Sequence, residues 1–260
     1  MTKLSLIIPS ISPERWYSLA KGMELACRRH SFEIIFVGPK PLTNEMLGCP
    51  YAKAIRDFGC PARCLQMGAL IAEGEYLAWA SDDCFLEPDM MDEALDYFDS
   101  SLTEQDGMAL LYSEGENYTG TQHEDPSYWI AYTHPDLRLA GVNSEWKIAP
   151  IGMYKRATFC KHGGFDCAFE TVNFNTHDLA FAVQHAGGRV VTSPHRVFRY
   201  NWSPDSSRPA YQPVFMAFIQ DQHRMRTLYS NPNYINERNI SLDNWRSQPA
   251  LWPKRYGQSK

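Results

Sequence analysis

The chain has 260 residues, 44% of them hydrophobic and 21% charged, enough apolar material to bury a full core in one large domain with an appendage. Its net charge of −5 is modest and its Lys and Arg are scattered, which excludes a surface for nucleic acid or other polyanions. Too few apolar residues precede Pro9 for a secretion signal and no run of ~18 apolar residues follows, so neither export nor a transmembrane segment is expected and the protein is placed in the cytoplasm.

Leu4 to Ile8 is a short apolar strand ended by Pro9, and Ser12-Pro13 then opens a helix. Trp16, Leu19, Ala20, Met23 and Cys27 recur at helical spacing, one apolar stripe that can lie on a sheet. Phe32 to Val37 is the second strand, stopped by Gly38-Pro39, and a third is expected near Ala54-Ile55. Pro61 opens a helix carrying Leu65, Ala69 and Ala72, and Tyr76 to Ala80 is a strand too apolar to have a wet face. Strands buried on both faces and separated by helices predict a mainly parallel sheet with right-handed crossovers. A helix from Asp89 to about Phe98 and a strand from Met108 to Tyr112 follow. Ser113 to Ser144 then reads as long loops, rich in Gly, Asn, Thr, Asp, Pro and aromatics. Further elements are expected at Ile148–Tyr154 (strand), Thr176–Ala186 (helix, ended by Gly187-Gly188), Arg189–Thr192 (strand) and Pro213–Tyr229 (helix), with an irregular tail beyond. The seven cysteines, Cys27, Cys49, Cys60, Cys64, Cys84, Cys160 and Cys167, form no disulfide framework. Cys60 and Cys64 lack the second close pair that a zinc site needs.

The chemistry concentrates where the strand YLAWA delivers two adjacent carboxylates, Asp82 and Asp83, at its C-terminal end. Ligands of open α/β sheets bind at that edge, and one or two carboxylates can hold a divalent cation against a diphosphate. Taken alone, the pair reads first as a solvated turn that caps the next helix or bends the chain.

The context resembles the inverting family 2 glycosyltransferases of the GT-A fold over roughly residues 3–200. The resemblance is carried by the opening LSLIIPS, the strand EIIFV, the passage GALIAEGEYLAWASDD, the GGFD at Gly163 to Asp166, and HDLAFAVQHAGG at His177 to Gly188. It implies a Rossmann-like, mixed but mainly parallel α/β sheet flanked by helices. The catalytic domain would span 1–205, divided into a nucleotide-sugar half (1–100) and an acceptor half (101–205), with a helical or irregular extension at 206–260. The family's Asp-x-Asp metal motif reads Ser-Asp-Asp here, so Asp83 corresponds to the metal-binding carboxylate for Mn2+ or Mg2+ and Asp82 to its helper toward ribose or metal. Pro9 and Ser10 would lie against the nucleotide. Gly38-Pro39 stands where relatives carry an Asp that contacts the base. The family's arginine position falls on Leu65, which makes Arg63 the nearest donor contact, or else a surface arginine.

An inverting transfer needs one general base to deprotonate the acceptor hydroxyl. The family's Glu-Asp-x-Asp-Leu segment reads Asn175-Thr176-His177-Asp178-Leu179. Asp178 is therefore the first candidate base, His177 the second and Glu170, on the loop leading in, the third. Asp178 in the first turn of its helix is also what the helix dipole alone would favour. Gly163 and Gly164 would bring the loop over the sugar and Asp166 would bind its hydroxyls. His195 is a third metal ligand or a plain histidine of the fold, and Arg199 or Arg208 can neutralise diphosphate charge. Trp146 and Trp202 can stack on the acceptor or pack as loop core. The donor would be a nucleotide-diphosphate sugar and the acceptor a glycan or lipid-linked saccharide, which leaves room for peripheral membrane association through the acceptor. Two other readings stand beside this one. The first is a degenerate relative that binds nucleotide or glycan without turnover. The second is a sugar nucleotidyltransferase, whose glycine-rich phosphate loop LIIPSISPERW lacks.

Overall fold

The computed structural model describes residues 2–114, 125–200 and 211–246. Strands β1 (Leu4–Pro9), β2 (Phe32–Gly38), β3 (Ala52–Arg56) and β4 (Tyr76–Trp79) pair in the order β3-β2-β1-β4, all parallel. Every residue of β4, and five of the six in β1, is buried, as a sheet covered on both faces requires. Helix α1 (Trp16–Ala26) buries Trp16, Leu19, Ala20 and Met23 of the predicted stripe together with Ala26, and Cys27, the last of the stripe, is buried as the residue that ends the helix. Helix α2 (Pro61–Ile71) starts with proline in its first turn, and the Cys60 sulfur caps it by accepting the Arg63 amide.

The sheet continues through β7 (Gly152–Lys155), β6 (Gly107–Glu114), β8 (Val190–Tyr200) and β5 (Cys84–Leu86), in that spatial order. β7 and β5 run antiparallel to their neighbours, and β6 pairs parallel with β8. Only Ala80 to Asp83 joins β4 to β5, although three strands lie between them in the sheet. That connection reaches at most ~17 Å, whereas four strand spacings across a flat sheet need ~19 Å. The sheet must therefore curl, and the extra residues that β8 carries between Thr192 and Phe198, opposite Ala109 to Tyr112 of β6, supply the bend. Its consequence is that the end of β8, the short β5 and the Asp82-Asp83 turn meet at the C-terminal edge of β1 and β4.

Helix α3 (Met90–Ser101) packs on β8, and α4 (Arg156–Lys161) follows β7. The 113–144 stretch begins as the end of β6 and continues, in its described part, as one-turn 3-10 segments from Pro126 to Leu137. Helix α5 (Val172–His185) starts four residues before the predicted Thr176. Its N-cap is Thr171 in extended backbone, which moves Asp178 from the first turn into the second and removes the dipole argument for it. β8 runs eight residues past the predicted Thr192. The tail holds α6 (Tyr211–Tyr229), close to its predicted span, then α7 (Tyr234–Glu237) and a 3-10 turn at Asn244–Arg246.

Candidate functional site

The first loop is pinned by backbone and side chain together. The Ser10 amide donates to the Val37 carbonyl at 2.9 Å, which draws the loop onto the end of β2. A Cβ at Gly38 would sit 1.8 Å from the Ser10 carbonyl oxygen, so only glycine fits there. The Ser10 hydroxyl is saturated: it accepts from the Trp16 indole at 2.6 Å and the Ser12 amide at 3.1 Å, and donates to Asp82 Oδ2 at 2.6 Å. Trp16 is held flat by stacking on Phe36 at 4.6 Å. One carboxylate of the pair is thus anchored to α1 and β2 through a single hydroxyl.

Asp83 accepts a hydrogen bond from the Ser81 hydroxyl, and both carboxylates remain partly exposed. Burial pushes the Asp82 carboxyl above its usual range, the Ser10 hydrogen bond opposes that, and the neighbouring Asp83 charge adds to the rise. A cation here would relieve both destabilising effects. Among the described residues no group of three or more His, Cys, Asp or Glu side chains gathers. Two carboxylates on one turn suit a hard cation that completes its shell with water and phosphate oxygens.

At the same edge, Asp57 follows β3 and accepts from the Gly59 amide at 2.6 Å and from Arg63 Nε, 3.1 Å from both carboxylate oxygens. Arg63 also donates to the Trp245 carbonyl, so it is a tethered guanidinium and not a free surface arginine. Sequence reading passed over Asp57, although an acid directly after a strand at this edge is a legible signal.

The acceptor-side candidates fall in different places. Gly163 and Gly164 both have left-handed backbone, with φ of 78° and 72°, which explains the pair of glycines. They are covered, however, with the Ile240 carbonyl over one and the Gln66 amide over the other. Asp166 is buried, accepting from Tyr234 at 3.0 Å and from the Ala168 amide at 2.8 Å, and so does not open onto a sugar. Asp178 is fully buried, with Tyr229 donating to one oxygen at 2.7 Å and Arg238 to the other. Burial pushes its carboxyl up to about 6 despite the arginine, with Asp166 adding to the rise. His177 is also buried, and burial, followed by His134, holds its pKa down at about 3. A base must reach the hydroxyl it deprotonates, and neither of these two does so in this arrangement. Glu170 is partly exposed, and its carbonyl accepts from Ala62 at the start of α2, on the donor side.

His195 lies five residues back from Tyr200, which pairs with Cys84 beside the carboxylates. That is roughly 16 Å along a strand, too far for a shared ion, and the exposed ring borders a separate cavity of about 520 Å³ with Tyr97 and Thr192. Trp146 is misplaced as an acceptor contact: it stacks on Phe181 and lines a cavity of about 390 Å³ with Val190 and Val191, the start of β8 and hence the opposite edge of the sheet. Trp202 and Arg208 lie outside the described residues. Arg199 lies on β8 opposite Phe85 and is held by Glu87, its Nε 3.0 Å from the carboxylate. No helix among the described residues is long and apolar enough to cross a membrane.

The chain matches no family model and no curated protein. Among solved structures it is similar to S. aureus TarS, at 15% identity and a TM-score of 0.53 over 90% of this chain and 44% of that one. Structures of TarS 1-349 with UDP and with UDP-GlcNAc each give a TM-score of 0.54 at 15% identity, over 90% of this chain and 72% or 73% of theirs. The chain therefore spans less than half the length of the longer TarS chain. At such identity the likeness is one of fold, and the fold is a Rossmann-like α/β architecture of the GT-A type.

Proposed function

We propose that this protein is a glycosyltransferase that takes a nucleoside-diphosphate sugar, acts by inversion, and passes the sugar to a hydroxyl of a glycan or lipid-linked acceptor. The observation that carries this reading is the Ser10–Asp82 bond, with Asp83 beside it, at the sheet edge where this fold receives ligands. The likeness to TarS, solved with UDP and with UDP-GlcNAc, supports the donor class.

Asp82 and Asp83 would hold Mn2+ or Mg2+, which when bound supplies positive charge against the diphosphate. Pro9 and Ser10 line the nucleotide side, with the tethered Arg63 next to it. Glu170 replaces Asp178 as the first candidate base, because its loop sits on the donor side and its side chain is not sealed in the core. It would accept the acceptor hydroxyl's proton while that oxygen attacks the anomeric carbon and the nucleoside diphosphate leaves.

Titration calorimetry with UDP and UDP-GlcNAc, with and without manganese, tests the donor site. Asp83→Ala is expected to melt like the parent yet lose the manganese-dependent part of the affinity. Equal affinity in parent and variant would remove Asp83 from the metal site. The burial of Asp178 and His177, with Asn175-Thr176 standing where the family has Glu-Asp, also favours the second reading, a binding protein without turnover. Donor hydrolysis over a panel of nucleotide sugars separates the two: binding without any product selects the second.

A further inference from the structure

We propose that Trp245 is a positioning residue that ties the donor edge to the Gly163–Asp166 turn and so sets where the following loop, with Glu170, stands over the donor. This rests on the glycosyltransferase reading for its kinetic consequence and on the structure alone for its mechanical one.

Trp245 is completely buried although it lies near the end of the described chain. Its indole N–H and its backbone carbonyl are used in opposite directions. The indole N–H donates to the Phe165 carbonyl at 2.6 Å, and the backbone carbonyl accepts from Arg63, which Asp57 holds at the end of β3. A second link runs parallel to the first, one turn along α2: the Gln66 side chain accepts from the Phe165 amide at 3.0 Å and donates to the Leu242 carbonyl at 3.5 Å. Phe165 is therefore gripped at its amide by α2 and at its carbonyl by the tail.

The grip extends to the carboxylates. The Phe165 ring meets Trp79 edge-on at 5.2 Å, and Trp79 is the last residue of β4 before the Ala80–Asp83 connection. Downstream of the turn, the Glu170 carbonyl accepts from the Ala62 amide, and Glu170 and Thr171 donate their amides to Asp221 of α6 at 2.9 and 2.6 Å. Shifting Phe165 would move the loop while the donor edge stays fixed by β1, β2 and β4. Such a change degrades the alignment of base and anomeric carbon without altering nucleotide contacts, and small misplacements of this kind reduce turnover by ten- to a hundredfold.

The test uses Trp245→Phe, which keeps an aromatic ring and loses the N–H, beside Arg63→Gln as an independent break of the same chain of contacts. Hydrogen–deuterium exchange followed by mass spectrometry reads the mechanics. In Trp245→Phe, amides of residues 163–171 should exchange at least tenfold faster while those of β1 and β2 remain as in the parent. The kinetic readout is hydrolysis of UDP-GlcNAc, or of whichever nucleotide sugar the parent turns over: kcat should fall ten- to a hundredfold with KM within twofold. Unchanged exchange in residues 163–171 overturns the proposal whatever the kinetics do, and so does a parent-like kcat. A fall confined to KM overturns it as well, since that would make Trp245 part of donor binding. If the parent turns over no donor, the functional reading falls while the exchange data still decide the tether. Should Trp245→Phe fail to fold, the exchange criterion alone applies to Arg63→Gln, because Arg63 stands beside the nucleotide and its loss can move KM by itself.

Discussion

The two sides of the candidate site are built by different means. The donor edge is made by strand ends that are already parallel neighbours, and its key bonds, such as Ser10 to Asp82, add little to what the sheet fixes. The segment from Gly163 to Asp178, a turn and loop that run into the first turns of α5, pairs with no strand. From the tail, Tyr229, Tyr234 and Arg238 donate to its carboxylates, Trp245 donates to the Phe165 carbonyl, and Asp221 accepts the Glu170 and Thr171 amides. Substitutions on the donor edge should therefore change chemistry and leave stability alone, whereas those on the loop should change stability first.

The sharpest break of that contrast is Arg238→Ala. It strands a fully buried carboxylate, and removing one partner of a buried ion pair costs about 3–5 kcal/mol. Urea denaturation should show this loss, and the double variant Asp178→Leu/Arg238→Met should recover most of it. An Arg238→Ala protein as stable as the parent would mean that water already reaches Asp178, and Asp178 would return as a candidate base.

Next in size is Glu170→Gln, which keeps the loop's backbone contacts while removing the proton acceptor. Turnover should fall by ~10²-fold, about 2.7 kcal/mol, with donor affinity and melting temperature retained. Parent-like turnover would take Glu170 out of the chemistry.

A further contrast concerns pH. The native pKa of His177 is held down at about 3, against roughly 6.5 in an unfolded chain. The unfolded state binds the proton first, so stability falls as pH drops from about 6.5 toward 3. Asp178 acts in the opposite sense, because its native pKa is raised to about 6: the stability it contributes is present below about 4 and is lost as pH rises through 6. His162, lowered to about 4 by burial and then by Arg238 and Lys161, adds to the His177 trend. His177→Gln should therefore lose less stability than the parent between pH 6.5 and 4, with little difference at pH 8. Parallel pH–stability curves would place His177 in contact with solvent.

This division also explains what was legible in the sequence. β1, β2 and β4 are runs of buried residues whose pattern is local, α1 carries its apolar stripe in plain view, and Asp82-Asp83 is visible as two acids after a buried strand. The start of α5 was misread because part of what stabilises it is Asp221, fifty residues further on, which takes the Thr171 amide and hydroxyl. No local rule reveals that Asp178 pairs with Arg238, so a carboxylate matching a family motif looked available when it is sealed. β5 is too short to show a period, and β8 continues through Pro194 because the bulged strand of this bent sheet tolerates proline there. Trp146 looked like a sugar platform by type alone; only the topology puts it at the wrong edge.

The dependence of the loop on the tail has a temporal side. A chain leaving the ribosome presents its N-terminal strands first, and β1 to β4 have each other as partners within the first eighty residues. The Gly163–Asp178 segment emerges before the tail residues that hold it, and Arg63 waits 182 positions for the carbonyl of Trp245. Assembly of the second half is thus a late event of synthesis. Asp178 and Asp166 stay wet and charged on a nascent chain until residues 229–238 arrive to cover them.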